Sequence, residues 1–162
     1  MRLFILLKFI LIFTLATGFW ACNKDAVAEI PSPSTKTIYE GNLITFEKAD
    51  GTASSDAANQ DRITDNVWLT RSTEGGQIYN AKVENNSNKA SSPSGTQWAI
   101  GTISNIDNLD FKNFRDAIKP KEVVGKDLVL FLTEEEVFIP IKFTKWSSGK
   151  DKGGFAYERA TE

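Results

Sequence analysis

The stretch from Asp127 to Trp146 constrains the fold most, because it spells out two neighbouring strands joined by a turn. Asp127-Leu128-Val129-Leu130-Phe131-Leu132 is almost wholly apolar, the composition of a strand covered on both faces. Glu134-Glu135 then turns the chain into Val137-Phe138-Ile139-Pro140-Ile141-Lys142-Phe143-Thr144-Lys145-Trp146. Here Val137, Ile139, Ile141 and Phe143 alternate with a mixed set, which predicts one core face. Pro140 has no N–H for a ladder, so it is expected at a sheet edge or a bulge. The glycine-rich loop from Ser147 to Gly154 leads to a last strand, Phe155-Ala156-Tyr157-Glu158-Arg159, expected beside this pair.

Upstream the same signals recur. Asn42–Glu47, Val67–Arg71, Gln77–Val83 and Gln97–Ile103 are β-branched or aromatic runs, parted by polar loops at Asp50–Asp65 and Asn85–Gly95. Gly75-Gly76 between the second and third runs reads as a hairpin. One helix is expected, over 109–119, where Phe111, Phe114 and Ile118 fall at spacings of three and four before Pro120. Short strands with polar turns imply an all-β fold, an antiparallel β-sandwich or barrel-like domain over residues 37–162 with at most that helix.

The N-terminus supplies an address. Arg2 and Lys8 border an apolar run that ends at Thr17-Gly18-Phe19-Trp20-Ala21-Cys22, the plan of a secretory signal. Ala21 precedes the chain's one cysteine, and the arrangement resembles a bacterial lipoprotein signal, with residues 1–21 removed and Cys22 lipidated. A transmembrane anchor is the competing reading, but Lys8 splits the run. Asn23-Lys24-Asp25 resembles the short signal that sends some Bacteroidota-type lipoproteins to the outer face of the outer membrane. Residues 22–36 carry Pro31 and Pro33 among serines and read as a linker, able to span roughly 40 Å at about 3.1 Å per residue. Losing Arg2 and Lys8 with the leader takes the formal charge from −2 to −4. Mild acidity without a Lys/Arg run argues against nucleic acid as partner and leaves lipid as the membrane attachment.

Several strings carry a family resemblance: Asn59 to Arg71, Gln77-Ile78-Tyr79-Asn80, Ser92 to Trp98, Ile141 to Trp146 and Gly153 to Arg159. Together they resemble an uncharacterised secreted module of bacterial surface proteins of Bacteroidota type, over roughly residues 43–161. The resemblance implies a β-rich surface lipoprotein and assigns no functional residues. The last two strands are also similar to the all-β haem-binding lipoproteins (haemophores), which would imply haem. Against this, the chain has no histidine, and only Tyr39, Tyr79 and Tyr157 remain as axial candidates.

The missing residue types narrow the chemistry. No histidine means no Ser-His-Asp or Cys-His nucleophile and no imidazole zinc site. Cys22 is committed to the anchor. A small carboxylate-dependent glycan hydrolase remains open, since two carboxyls about 5–10 Å apart suffice, but no pair stands out among the 21 acids. The favoured function is a non-enzymatic surface module for a glycan, peptide or partner surface protein. The alternatives are that hydrolase or a structural envelope subunit using a strand edge near Pro140.

Two sets of side chains are candidate sites. Asn59, Asp61, Asp65 and Asn66 concentrate hard oxygen donors and could take calcium, although Asn and Asp also serve turns by bonding their own backbone. Among the tryptophans, Trp98 falls in phase with Ile100 and is expected in the core. Alternation puts Trp68 opposite Val67 and Leu69, and Trp146 opposite Ile141 and Phe143. These two are therefore candidate ligand contacts on the less apolar side.

Overall fold

The computed structural model describes residues 36–162; the signal segment, Cys22 and the linker up to residue 35 lie outside the described residues. The elements in chain order are β1 (Thr37–Ile38), β2 (Leu43–Lys48), β3 (Asp61–Arg62), β4 (Trp68–Ser72), β5 (Gly75–Asn80), β6 (Thr96–Ile100), α1 (Phe114–Ala117), β7 (Asp127–Leu132), β8 (Val137–Trp146) and β9 (Phe155–Ala160). Two sheets result, a larger one ordered β2-β9-β8-β7-β6 with β1 added parallel to β8, and a smaller one ordered β3-β4-β5. The fold is all-β and sandwich-like.

The β7–β8 pair forms as the apolar run and its partner dictate, with Leu130 opposite Ile139 and Leu128 opposite Ile141. Strand β9 lies antiparallel to β8, and β2 to β9. Alternation aims Phe46 of β2, Leu128, Leu130 and Leu132 of β7, Phe143 of β8, and Phe155 and Tyr157 of β9 toward the small sheet. There Val67, Leu69 and Ile78 meet them, and Trp98 is fully buried as expected. The rings of Phe143 and Tyr157 meet edge to face at 5.2 Å, geometry that adds to area burial.

Three expectations are corrected. Pro140 lies neither at a sheet edge nor in a bulge. Strand β8 is central, with Pro140 opposite Val129 of β7. On the other side β8 pairs with β9 from Ile141 onward and with β1 at Val137 and Phe138, so Pro140 falls where one neighbour ends and the other begins. That gap accommodates a residue with no N–H. The edges of the large sheet are β2 and β6.

The helix expected over 109–119 shrinks to the single turn Phe114–Ala117, flanked by 3-10 turns at Ile103–Asn108 and Pro120–Glu122. Phe111 does not share a face with Phe114. It packs edge to face on the stacked rings of Phe131 and Phe138, while Phe114 meets Trp98 in the core. Between them Lys112 exchanges two backbone hydrogen bonds with Trp98, so the segment is extended there.

The third correction concerns Trp146. The ladder between β8 and β9 runs Phe143–Tyr157 and then Lys145–Ala156, leaving Thr144 as an extra residue. This β-bulge reverses the alternation after it. Trp146 therefore lands on the same side as Phe143, 5.6 Å ring to ring, rather than opposite it.

A cationic cleft at Arg71 and Trp146

Strand β4 carries Arg71 two residues after Leu69, so its side chain enters the same interior, where it is 2% exposed. A buried guanidinium must have its donors met. Its Nε donates to the Gly76 carbonyl at 2.9 Å, and Nη1 to the carbonyls of Ser147 (2.8 Å) and Gly154 (3.0 Å). The β4–β5 turn and the 147–154 loop must touch for this. Gly153, at φ +70°, permits it: a Cβ there would stand 2.3 Å from the Ser72 carbonyl oxygen. The guanidinium carbon lies 4.0 Å from the Trp146 ring centroid, a cation–π contact. Among the described residues, Arg71 makes no ion pair with a carboxylate, and its Nη2 donates to no protein acceptor. Burial pulls its pKa down to about 10, with the charge of Asp50 opposing, which leaves it charged at neutral pH.

Arg71 and Trp146 line an open cleft of about 780 Å³. Arg115 on α1, Lys119 and Lys121 around Pro120, and Lys150 in the glycine loop line the rest of its charged surface. Among the described residues, Glu122 is its one acidic lining residue and lies 3.5 Å from Lys119. Lys48, fully buried beside Phe155 at the end of β2, does not line the cleft, and its Nζ has no hydrogen-bond partner among the described residues. Burial first, then the charge of Arg71, lowers the Lys48 pKa, with Asp50 opposing. The sequence contains no Lys/Arg run; the fold gathers these cations from β4, α1 and two loops.

Trp146 is half-buried against Phe114, Phe143 and Phe155. It backs Arg71 rather than presenting a bare platform. Trp68 does not line this cleft. Arg62 and Lys82 lie over its ring at 4.1 and 4.6 Å, and its Nε1 donates to the Thr64 carbonyl, so its own chain's cations occupy the π-surface.

The four oxygen-bearing residues of the 59–66 loop do not converge. Asp61 turns inward from β3, 6% exposed, and accepts from Arg159 Nε (2.6 Å) and Nη2 (2.8 Å) and from the Tyr157 hydroxyl (2.6 Å). This triad ties the two sheets together. Asn59 donates to the Ala53 carbonyl, Asn66 donates to Glu135 Oε1, and Asp65 is exposed. A calcium ion in this loop would have to do without Asp61. Of the tyrosines, Tyr157 is spent on Asp61 and Tyr79 is buried, while Tyr39 is partly buried against the core.

Of the two tryptophans expected as ligand contacts, Trp146 lines the cleft and Trp68 does not, and the sequence reading did not single out Arg71, the one buried cation of the lining. A signal was present: an arginine in an otherwise apolar alternation after Leu69. No family of proteins, no curated protein and no solved structure matches this chain.

Proposed function

We propose that the chain is a lipoprotein tethered through Cys22 at the outer membrane, facing outward, and that its domain is a non-enzymatic binding module using the Arg71–Trp146 cleft. The observation that carries this is the cleft's lining: a concavity of about 780 Å³, in the size range of small-ligand sites, with five cations and one ion-paired acid. General acid–base cleavage of a glycoside needs two carboxyls across the bound bond, and Glu122 has no acidic companion there. Asp127 and Glu158 line a smaller hollow elsewhere, with Lys142 between them in register and bonded to Asp127. That arrangement gives the hydrolase alternative little support. The tether rests on the sequence signal alone.

Two measurements test the reading. The full chain should partition into detergent, and Cys22→Ala should abolish that; equal partitioning sinks the tether. A glycan array and an envelope pull-down, each run with wild type and Trp146→Ala, test the cleft. Binding that Trp146→Ala leaves untouched places the ligand elsewhere.

A further inference from the structure

Taken together, the charges of the cleft specify its ligand more narrowly than its shape does. Arg71 is buried, held by three carbonyls and braced on Trp146, yet one arm of its fork is unspent and no carboxylate among the described residues bonds to it, Asp50 acting on it through charge alone. Buried charges are ordinarily paired. A second buried cation, Lys48, also lacks a partner there. The protein thus retains at the cleft a guanidinium with no carboxylate bonded to it, although acidic residues outnumber basic ones in the chain, 21 to 19. Preorganised, partly desolvated cations favour an incoming anion more strongly than surface lysines do.

The form of the site limits which anion. The cleft sets five cations against one acid within a bounded concavity, whereas the chain as a whole carries more acids than bases, so an extended polyanion such as nucleic acid, or an anionic membrane, would meet a net acidic surface beyond its walls. Trp146 and Pro120 are the apolar lining residues, too few for the hydrophobic anchors that hold a peptide. The remaining surface is serine hydroxyl, glycine backbone, cationic side chains and Glu122 paired with Lys119, a lining that hydrogen-bonds hydroxyls and pairs with acid groups. The volume suits a few sugar rings.

We propose that the cleft binds an acidic oligosaccharide, with a carboxylate or sulfate accepting from Arg71 Nη2 at the floor and further acid groups meeting Lys119, Lys121, Arg115 and Lys150 at the rim. The inference rests on the binding-module reading of this cleft and assigns its ligand class. Trp146 is a positioning residue: it holds the guanidinium in plane so that Nη2 faces the cleft.

The test is titration of the full chain in detergent with oligogalacturonate (carboxylate), heparin oligosaccharide (sulfate), neutral maltohexaose and tetra-aspartate. Calorimetry and the Trp146 indole resonance, assigned with Trp146→Phe, follow binding. One or both acidic sugars should bind and move that resonance, with affinity falling as salt rises. The Lys119→Glu/Lys121→Glu double variant, altering exposed side chains that the core does not use, should weaken binding on the order of tenfold or more without changing the melting temperature. Arg71→Gln should abolish it. Which acidic sugar binds decides between carboxylate and sulfate. Maltohexaose binding as tightly at the same resonance would overturn the acidic assignment and leave the binding module standing. Tetra-aspartate binding more tightly than either sugar would overturn the sugar. Acidic sugars binding without moving the Trp146 resonance, or unaffected by the rim variant, would overturn the site. If no probe moves that resonance, the acidic-sugar assignment falls. The array and pull-down then judge the cleft separately.

Discussion

Replacing Asp61 by asparagine should be among the most damaging single changes in the domain, although it removes only a formal charge. Asp61, Arg159 and Tyr157 are 6, 6 and 0% exposed, so the solvent cannot take over a lost contact. The carboxylate accepts three hydrogen bonds, two from one guanidinium. An asparagine side chain at this position would offer one acceptor oxygen, aim an amide N–H₂ toward donors, and leave the Arg159 charge buried and unpaired. Breaking a buried pair from one side costs about 3–5 kcal/mol. For a domain of this size about 1 kcal/mol moves Tm by roughly 3–4 °C, so the Asp61→Asn melt should fall by about 10–18 °C. Tyr157→Phe removes one charge-assisted bond but leaves no orphan donor, and should cost about 1.5–3 kcal/mol. Because Arg159 and Tyr157 share one acceptor, the Asp61→Asn/Tyr157→Phe double variant should cost less than the sum. Replacing the pair together, Asp61→Leu with Arg159→Met, should recover much of the loss, since an apolar substitute for a buried pair is often neutral or better. Urea denaturation at pH 7, followed by tryptophan fluorescence, reads all four. A cost for Asp61→Asn below about 1 kcal/mol, the size of an exposed pair, would refute the cross-sheet tie.

Three further outcomes are expected. Burial, then the Asp61 charge, raises the Tyr157 pKa well above its usual value; the folded state therefore holds this proton longer than the unfolded state. Its stabilisation is complete below pH 10 and is lost as pH rises from there toward the folded value, so wild type should lose stability above pH 10 more steeply than Tyr157→Phe in alkaline denaturation series. Lys48→Met should raise stability at pH 7 by about 1–3 kcal/mol, because it replaces an unpaired buried ammonium with an apolar chain of similar length; an unchanged or lower urea midpoint would mean that Lys48 has a partner after all. The loss caused by Asp61→Ala should be equal in calcium and in chelator, since Asp61 serves Arg159; a loss seen only in calcium would restore this residue as a metal ligand.

Most of the fold was legible because its strands obey strong local rules. The run from Leu128 to Leu132 can satisfy its apolar side chains only between two layers, and the turn at Glu134-Glu135 leaves β8 no nearer partner. What failed were inferences needing a third neighbour. Pro140 as an edge marker assumed one ladder per side; β8 instead changes neighbour at that residue, which no property of residues 137–146 announces. The Phe111/Phe114/Ile118 spacing fits a helix, but Trp98 and the Phe131–Phe138 stack compete for the two rings from opposite sides of β6–β8. Tertiary packing outweighed a weak local preference.

The site was less legible, for two separable reasons. A single bulged residue, Thr144, reverses the meaning of every position after it, so alternation assigned Trp146 to the wrong face while still singling it out. Charge failed differently. Arg115, Lys119 and Lys121 lie close in sequence but far from Arg71 and Lys150, and all but Arg71 read singly as solvated surface, which they are; only closure of the 147–154 loop over β4 brings the three groups into one cleft. Burial then changes what the charge does. An exposed arginine on an acidic protein is screened and finds a carboxylate. Arg71, bonded to carbonyls at Nε and Nη1 but to no carboxylate, keeps a charge that the nearby Asp50 offsets only from a distance, and its field is screened less than that of an exposed arginine.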